Sequence, residues 1–445
     1  MKIHFFGGPD MLNATFDLPR QILFSTISSL LDRREEYLSN PDSDFTRVQK
    51  ISFEQTMLFP MIVGNENTDT ELLDFFGEKG VPFASAMIQR RDQVKLEAFQ
   101  DLFYKFTAKV PVPNKYHGFQ LLAFDGSRTN LPYRPSDTGS FIQCIAGRKG
   151  INQIHLNCLH DTLNDVFLDV ELQGIHHMDE KDAFCKILDR QKKLGADQKR
   201  IYIADRGDAS YNVFAHAIHN GQLFLIRVTE TLVKGICSGH KEWLDKASFD
   251  EELTVHIGRR KIKKNQDLEN YRYIRKGRRY DFLEENSNET DPLPLRILKF
   301  PISENSDEYI VTNLPKYGFS ESSIRELYGL RWNEEVAFRH LKYAGNLVRF
   351  HSLKREHQIQ EIYGKLTLYN FSAFLAMLVG KVQKKTEKYV YRLNHSQGQK
   401  TCIRFLKGKV EDPVSLICRY LVPVRPGRSF ERKLRRQSAD TLNYR

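Results

Sequence analysis

The chain is expected to fold as an α/β protein, a mixed sheet covered by helices, and three observations predict it. Short apolar runs recur between residues 119 and 228, and two of them end in an aspartate, as strands buried on both faces do at their carboxyl ends. Helix-spaced segments alternate with these runs instead of being segregated from them. Further on, Tyr328, Arg331, Glu335 and Lys342 are separated by three, four and seven residues, which places them on one face of a helix.

The elements follow in order. Residues 1–112 read as a helical region: Ile51–Ile62, Glu71–Phe76 and Ala84–Phe106 carry apolar residues at helical spacing. Gln89, Arg90 and Arg91 are read there as exposed, either as a DNA-facing surface or as an ordinary solvated face. Pro111–Pro113 ends the helical pattern. Phe119–Phe124 is a buried strand running into Asp125-Gly126-Ser127, and a hairpin spans Ile154–Cys158 and Val166–Leu172 about the turn His160–Asn164. Asp179–Arg190 is a helix, Ile201–Ala204 a strand before Asp205, Ser210–His219 a helix stopped by Asn220-Gly221, and Leu223–Val228 a strand. Three strands, helix, strand, helix, strand is the layout of an RNase H-like core. The expected units are therefore a helical N-terminal region (1–112), the core's first part (113–228), a mostly β insertion (229–318), the core's second part (319–382) and a basic C-terminal region (383–445).

Composition narrows the function. A chain of 445 residues with 40% hydrophobic and 28% charged residues can bury a substantial core, and a net charge of +11 favours a polyanionic partner. Residues 254–280 hold ten Lys or Arg against two acids, and 419–445 hold eight against two. The most apolar run, Phe371–Gly380, is too short to span a bilayer and the N-terminus lacks the pattern of a signal peptide, which leaves nucleic acid as the polyanion and no membrane partner. Six scattered cysteines without a CxxC pair read as reduced thiols of a cytosolic protein. His155 and Cys158 have opposite strand parity, which argues against a zinc site.

Asp125 and Asp205 each end an apolar strand, where side chains face the working crevice of an open sheet. Each could also be a simple turn former before glycine. With Glu335 from the helical stripe they complete a three-carboxylate set suited to Mg²⁺, with Mn²⁺ as a substitute, since hard cations take oxygen ligands. Two such ions activate a water or 3′-hydroxyl and steady the departing oxygen of a phosphodiester. The alternative for the stripe is a solvated face with Arg331–Glu335 and Arg339–Glu335 pairs. Glu334 points about 100 degrees away from Glu335 on a regular helix, so Glu335 is the expected third acid.

The motifs FDGS at Asp125, ADRG at Asp205 and Tyr328-x2-Arg331-x3-Glu335-x6-Lys342 resemble those of DDE transposases of the insertion-sequence-four type, with the signature matched at every position and interval. The segments RVQKISFEQTMLFP, SAMIQRRDQV and VRPGRSFERK are similar to that family more loosely. The resemblance implies a cut-and-paste transposase of a prokaryotic cytoplasm. Asp125, Asp205 and Glu335 would bind catalytic metal, and Tyr328, Arg331 and Lys342 would hold phosphates at the element's end. Its partners would be double-stranded DNA (terminal inverted repeats and target) and a second copy of the chain, as a homodimer in the synaptic complex. Cleavage through a DNA hairpin would need an aromatic to stack a flipped base. Trp243 is one candidate, with a core Trp as the alternative, and Tyr271, Tyr273 and Tyr280 are its rivals. Arg259, Arg260, Lys261, Lys263, Lys264, Arg275, Lys276, Arg278 and Arg279, interleaved with tyrosines, are expected to meet DNA. The rival readings are an RNase H-like nuclease without strand transfer and a catalytically silent DNA-binding protein.

Overall fold

The computed structural model describes residues 17–143, 149–194, 199–261, 270–303, 306–379 and 390–424. Six helices come first: α1 (Leu18–Leu31), α2 (Arg34–Tyr37), α3 (Phe53–Ile62), α4 (Thr68–Phe76), α5 (Ala84–Asp92) and α6 (Leu96–Thr107). Ser52 and Gln55 close a reciprocal capping box that starts α3. The stretch 84–106, uniform in its apolar spacing, is divided at Gln93–Lys95, where Val94 bridges to Leu38.

The core follows as β1 (Gln120–Leu131), β2 (Phe141–Ile142), β3 (Ile151–Asp161), β4 (Val166–Gly174), α7 (Glu180–Leu194), β5 (Arg200–Ala204), α8 (Tyr211–His219) and β6 (Leu223–Val228). α8 starts at a Ser210 cap, and the chain leaves it through Gly221 at φ +68°, a left-handed conformation that glycine adopts without strain. Strand order β4-β3-β1-β5-β6, with β3 antiparallel to β1 and with β1, β5 and β6 parallel, is the RNase H-like arrangement.

After α9 (Glu230–Ile236) and α10 (Lys241–Leu244) come β7 (Phe249–Gly258), β8 (Tyr271–Tyr273), β9 (Thr290–Ser303) and β10 (Ser306–Thr312). These strands extend the core sheet instead of forming a module apart. β10 pairs with β6, β9 with β10, β7 with β9 and β8 with β7. The inserted segment thereby covers the edge that β6 would otherwise expose.

The sheet is covered on both faces. Leu122 and Phe124 of β1 join Phe184, Phe214 and Phe224 under α7 and α8, while Leu121 joins Ile201, Ile203, Ile324 and Leu327 under α11 (Glu321–Leu330), the alternation of a strand buried on both sides. α12 (Trp332–Arg339) and a π-turn (His340–Ala344) continue from α11, and α13 (Arg355–Val379) follows. By length and composition α13 could cross a membrane, but it lies buried, sharing one apolar cluster with the N-terminal helices, β3 and β4. α14 (His395–Leu406) and α15 (Pro413–Arg419) pack behind it, and β11 (Val390–Arg392) pairs with β12 (Val422–Val424).

Two readings are corrected here. The stretch Tyr328–Lys342 is not one regular helix: Arg331 is at once the C-cap of α11 and the N-cap of α12, and the turn holding Lys342 is widened to π geometry. Arg90 and Arg91 are not surface residues. Arg91, 2% exposed, donates to Gln360, to Glu361 and to the His357 carbonyl, tying α5 to α13. Five cysteines among the described residues are free and buried; Cys144 lies outside them.

Candidate active site

The parallel register of β1 and β5 ends at Phe124↔Ala204, where β5 stops; β1, expected to stop there too, runs on to Leu131 because β3 continues to pair with it. The next residues, Asp125 and Asp205, therefore leave the pairing at the same height on neighbouring strands, which parallel geometry sets about 4.8 Å apart. Each carboxylate accepts its successor's backbone N–H: Gly126 to Asp125 Oδ1 at 2.8 Å and Arg206 to Asp205 Oδ1 at 2.6 Å. α11, anchored through Ile324 and Leu327, carries Tyr328 and Arg331 over these strand ends, and α12 brings Glu335.

One guanidinium then touches all three acids. Arg331 nitrogens lie 3.5 Å from Asp125 Oδ2, 3.8 Å from Asp205 Oδ2 and 3.1 Å from Glu335 Oε1. Tyr328 donates to Asp205 Oδ1 at 3.2 Å, and its ring lies between the Arg331 and Arg227 guanidinia, with centroid distances of 5.8 and 5.6 Å. Residues 125, 205, 328, 331 and 335, up to 210 positions apart in the chain, are thus brought together.

The two aspartates are driven apart electrostatically. Burial raises the Asp125 carboxyl to about 6, with Glu335 and Glu180 adding to the rise, while the Gly126 N–H and Arg331 oppose it. Burial also acts on Asp205, but the Arg206 N–H, Arg227 and Arg331 outweigh it and hold that carboxyl below its ordinary range. Beneath them, burial lifts Asp208 and Glu334 well above theirs. Glu334 is fully enclosed, and its carboxyl, without a side-chain partner, lies against the Asp125 backbone N–H.

Among the described residues no three His, Cys, Asp or Glu side chains form a ready-made metal shell. The donor set nonetheless fits a hard divalent cation: three carboxylates, each about a third exposed, converge on one point now bridged by a cation, Arg331. An ion would take over carboxylates that Arg331 holds here.

Other expected residues are placed differently. Lys342, carried by the π-turn, donates to Ser127 Oγ at 2.7 Å and to the Arg128 carbonyl at 2.6 Å, two to three residues beyond Asp125 along β1. Arg259 is buried and donates to the carbonyls of Leu283, Arg278 and Tyr280, so it braces the loop and is not open to DNA. Arg279 is engaged by Asp182 and Asp281. Arg260, Lys261, Arg275, Lys276 and Arg278 are exposed; Lys263 and Lys264 lie outside the described residues. Trp243 packs near Phe249 with one face covered by His240 at 4.2 Å, the position of a core-edge Trp. Tyr280 is buried and donates to Asp291, Tyr271 donates to the Arg260 carbonyl at 2.5 Å, and Tyr273 is partly exposed.

Sequence reasoning passed over Arg227, which grips Asp205 with Nε at 2.8 Å and Nη2 at 3.2 Å. Its signal was a lone charge near the end of the apolar strand LFLIRV. Glu180 was passed over as well, and His155 was weighed only as a zinc ligand; the two lie 3.0 Å apart beside Gly126.

Against known proteins, the family model described as "Transposase DDE domain" matches residues 116–371, more than half of the chain. No curated protein sequence matches. Among solved structures the chain is similar to one titled "Cryo-EM structure of piggyBac transposase synaptic complex with hairpin DNA", at 10% identity and a TM-score of 0.43, over 92% of this chain and 81% of that one.

Proposed function

From a chain that belongs to the transposase DDE-domain family, we propose a cut-and-paste DNA transposase of the insertion-sequence-four type. In this reading the protein cleaves the ends of its element, through a hairpin, and joins the 3′-hydroxyls to target DNA. The observation that carries the proposal is the contact of the single Arg331 guanidinium with Asp125, Asp205 and Glu335.

In this mechanism Asp125, Asp205 and Glu335 hold Mg²⁺, or Mn²⁺ in its place. When bound, the metal supplies an activated water or 3′-hydroxyl and stabilises the leaving oxygen. Arg331, released from the carboxylates, turns its fixed fork of donors to a phosphate of the element's end. Tyr328 keeps Asp205 oriented through its hydroxyl, and Arg227 keeps that carboxylate ionised. Arg260, Lys261, Arg275, Lys276 and Arg278 bind the duplex backbone nonspecifically. Because two ends must be joined together, the working form is a homodimer on DNA.

The test uses supercoiled plasmid carrying the element's terminal repeats, with Mg²⁺ and either wild type or Glu335→Gln. Wild type is expected to give nicks, hairpins and joined products, and the variant none of them. Cleavage without joining would make the protein a nuclease, and binding without cleavage would make it a silent DNA-binding protein. Equal products from both proteins would remove Glu335 from the chemistry.

A further inference from the structure

Phe124, one residue before Asp125, stacks on Phe184 of α7 with ring centroids 4.3 Å apart. Two residues along the strand, on the same face, is Gly126; one turn back along α7 is Glu180. The stacked pair therefore sets Glu180 over Gly126. A Cβ at position 126 would lie 2.6 Å from Glu180 Oε1 and 2.4 Å from His155 Nε2, so only glycine leaves room for the carboxylate. A Cβ on Gly207, two residues after Asp205, would lie 3.7 Å from Glu180 Oε2. The Glu180 carboxylate thus spans the backbone that follows both aspartates.

Successive side chains of a strand point to opposite faces. Asp125 faces α12, where Arg331 and Glu335 wait, while position 126 faces α7. Glu180 consequently approaches the backbone after Asp125 and Asp205 from the side opposite Glu335. His155 is almost fully buried and its Nε2 lies 3.0 Å from Glu180 Oε1, an ion-pair approach without regular hydrogen-bond alignment at either ring nitrogen. The enclosed imidazole faces the Glu180 carboxylate at ion-pair distance, and that carboxylate keeps about a third of its surface in solvent. The fully buried carboxyl of Glu334 lies in the same acid pocket, beside Asp125 and Asp208.

We propose that Glu180, clasped by His155, is a fourth carboxylate of this site, closing on a divalent cation from the face opposite Glu335. The proposal deepens the transposase reading and rests on it. A three-acid site leaves the α7 side of the ion to water. Glu180 supplies an oxygen there, either to the ion or to its bound water, and outer-shell groups of this kind change metal affinity by roughly 10–100-fold.

The experiment titrates Mn²⁺ alone into the full chain by isothermal calorimetry, using wild type, Glu335→Gln, Glu180→Gln and His155→Gln. Glu180→Gln is expected to weaken Mn²⁺ by about tenfold or more, with an unchanged far-ultraviolet spectrum. His155→Gln, which keeps a donor for Glu180, is expected to retain most of the affinity. Wild-type affinity in Glu180→Gln together with a loss in Glu335→Gln would overturn the fourth carboxylate and leave the three-acid site standing. No Mn²⁺ uptake that depends on Glu335 would overturn both. A second measurement needs no variant: Fe²⁺ with peroxide and ascorbate cuts the wild-type backbone beside a bound ion. Cuts at 180 as well as near 125, 205 and 335 support the proposal, and cuts that omit 180 overturn it.

Discussion

Arg331 Nη2 stands 3.1 Å from Glu335 Oε1, four residues on, across the junction where α11 gives way to α12. The same side chain, only 8% exposed, also faces Asp125 and Asp205, so its one charge offsets part of the repulsion among three acids. The relationship makes Arg331 a competitor of any cation for the same oxygens.

Replacing Arg331 with Met leaves those acids unpaired. The metal-free variant is expected to lose about 1–3 kcal/mol of stability at neutral pH, less than a fully buried pair would because the acids are partly solvated. Mg²⁺ should then raise its melting temperature more than it raises that of wild type, since binding to the folded state is no longer opposed. Differential scanning fluorimetry with and without Mg²⁺ measures both effects. Equal Mg²⁺ shifts in the two proteins would show that the ion does not contest the Arg331 contacts.

Gly126→Ala forces a methyl group into His155 and Glu180, both within 2.6 Å of its ideal position. We expect a loss of about 1–3 kcal/mol in urea denaturation, as for overpacked sites. Gly207→Ala, with its nearest atom at an ordinary 3.7 Å, should cost under about 0.5 kcal/mol. Similar midpoints for the two variants would contradict the close approach of Glu180 to β1.

The joint between α5 and α13 should be acid-labile. Burial alone would raise Glu361, but Arg91 and His351 overcome it and hold the carboxyl at about 2 against an ordinary 4.5. A depressed acid contributes stability that is present above pH 4.5 and lost as pH falls towards 2, here on the order of 3 kcal/mol. Glu361→Gln should flatten that part of the stability-pH curve. Arg91→Ala, which strands a carboxylate only 1% exposed, should cost about 3–5 kcal/mol at pH 7. An unchanged acid limb in Glu361→Gln would place the sensitivity elsewhere.

The basic stretch 259–279 divides into structural and free cations. Arg259→Gln loses bonds to three carbonyls and should lower stability by about 1–3 kcal/mol. The exposed pair Arg275→Gln/Arg278→Gln should leave stability within about 0.5 kcal/mol. It should also weaken duplex binding and reduce the salt dependence of log K by about two. Fluorescence anisotropy at several salt concentrations measures the second effect. An unaltered slope would exclude both arginines from the phosphate contacts.

The core and the acids were legible because their signals are local. An apolar run followed by aspartate marks a buried strand and a carboxylate beside it, although only β5 stops there while β1 runs on to Leu131, and the order of strands and helices left few ways to pair them. The parallel register that levels Asp125 with Asp205 agrees with that reading. The 3.6-residue spacing brought Tyr328, Arg331 and Glu335 to one side, while Lys342, in the π-turn, meets β1 two residues beyond Asp125 at Ser127. Arg91 and Arg259 were misjudged for a related reason. A charged residue reads as exposed unless its partner is known, and Glu361 lies 270 positions from Arg91.

What the sequence by itself determined was therefore the kind of fold and the candidate acids, two after apolar runs and one on the stripe, because chain neighbours set periodicity. Only the tertiary structure decided that Arg331 joins the three acids, that Glu180 and His155 stand beside Gly126, and which arginines are braces. The partner of a buried charge is whatever distant element docks against it, and desolvation makes that choice too costly to leave open.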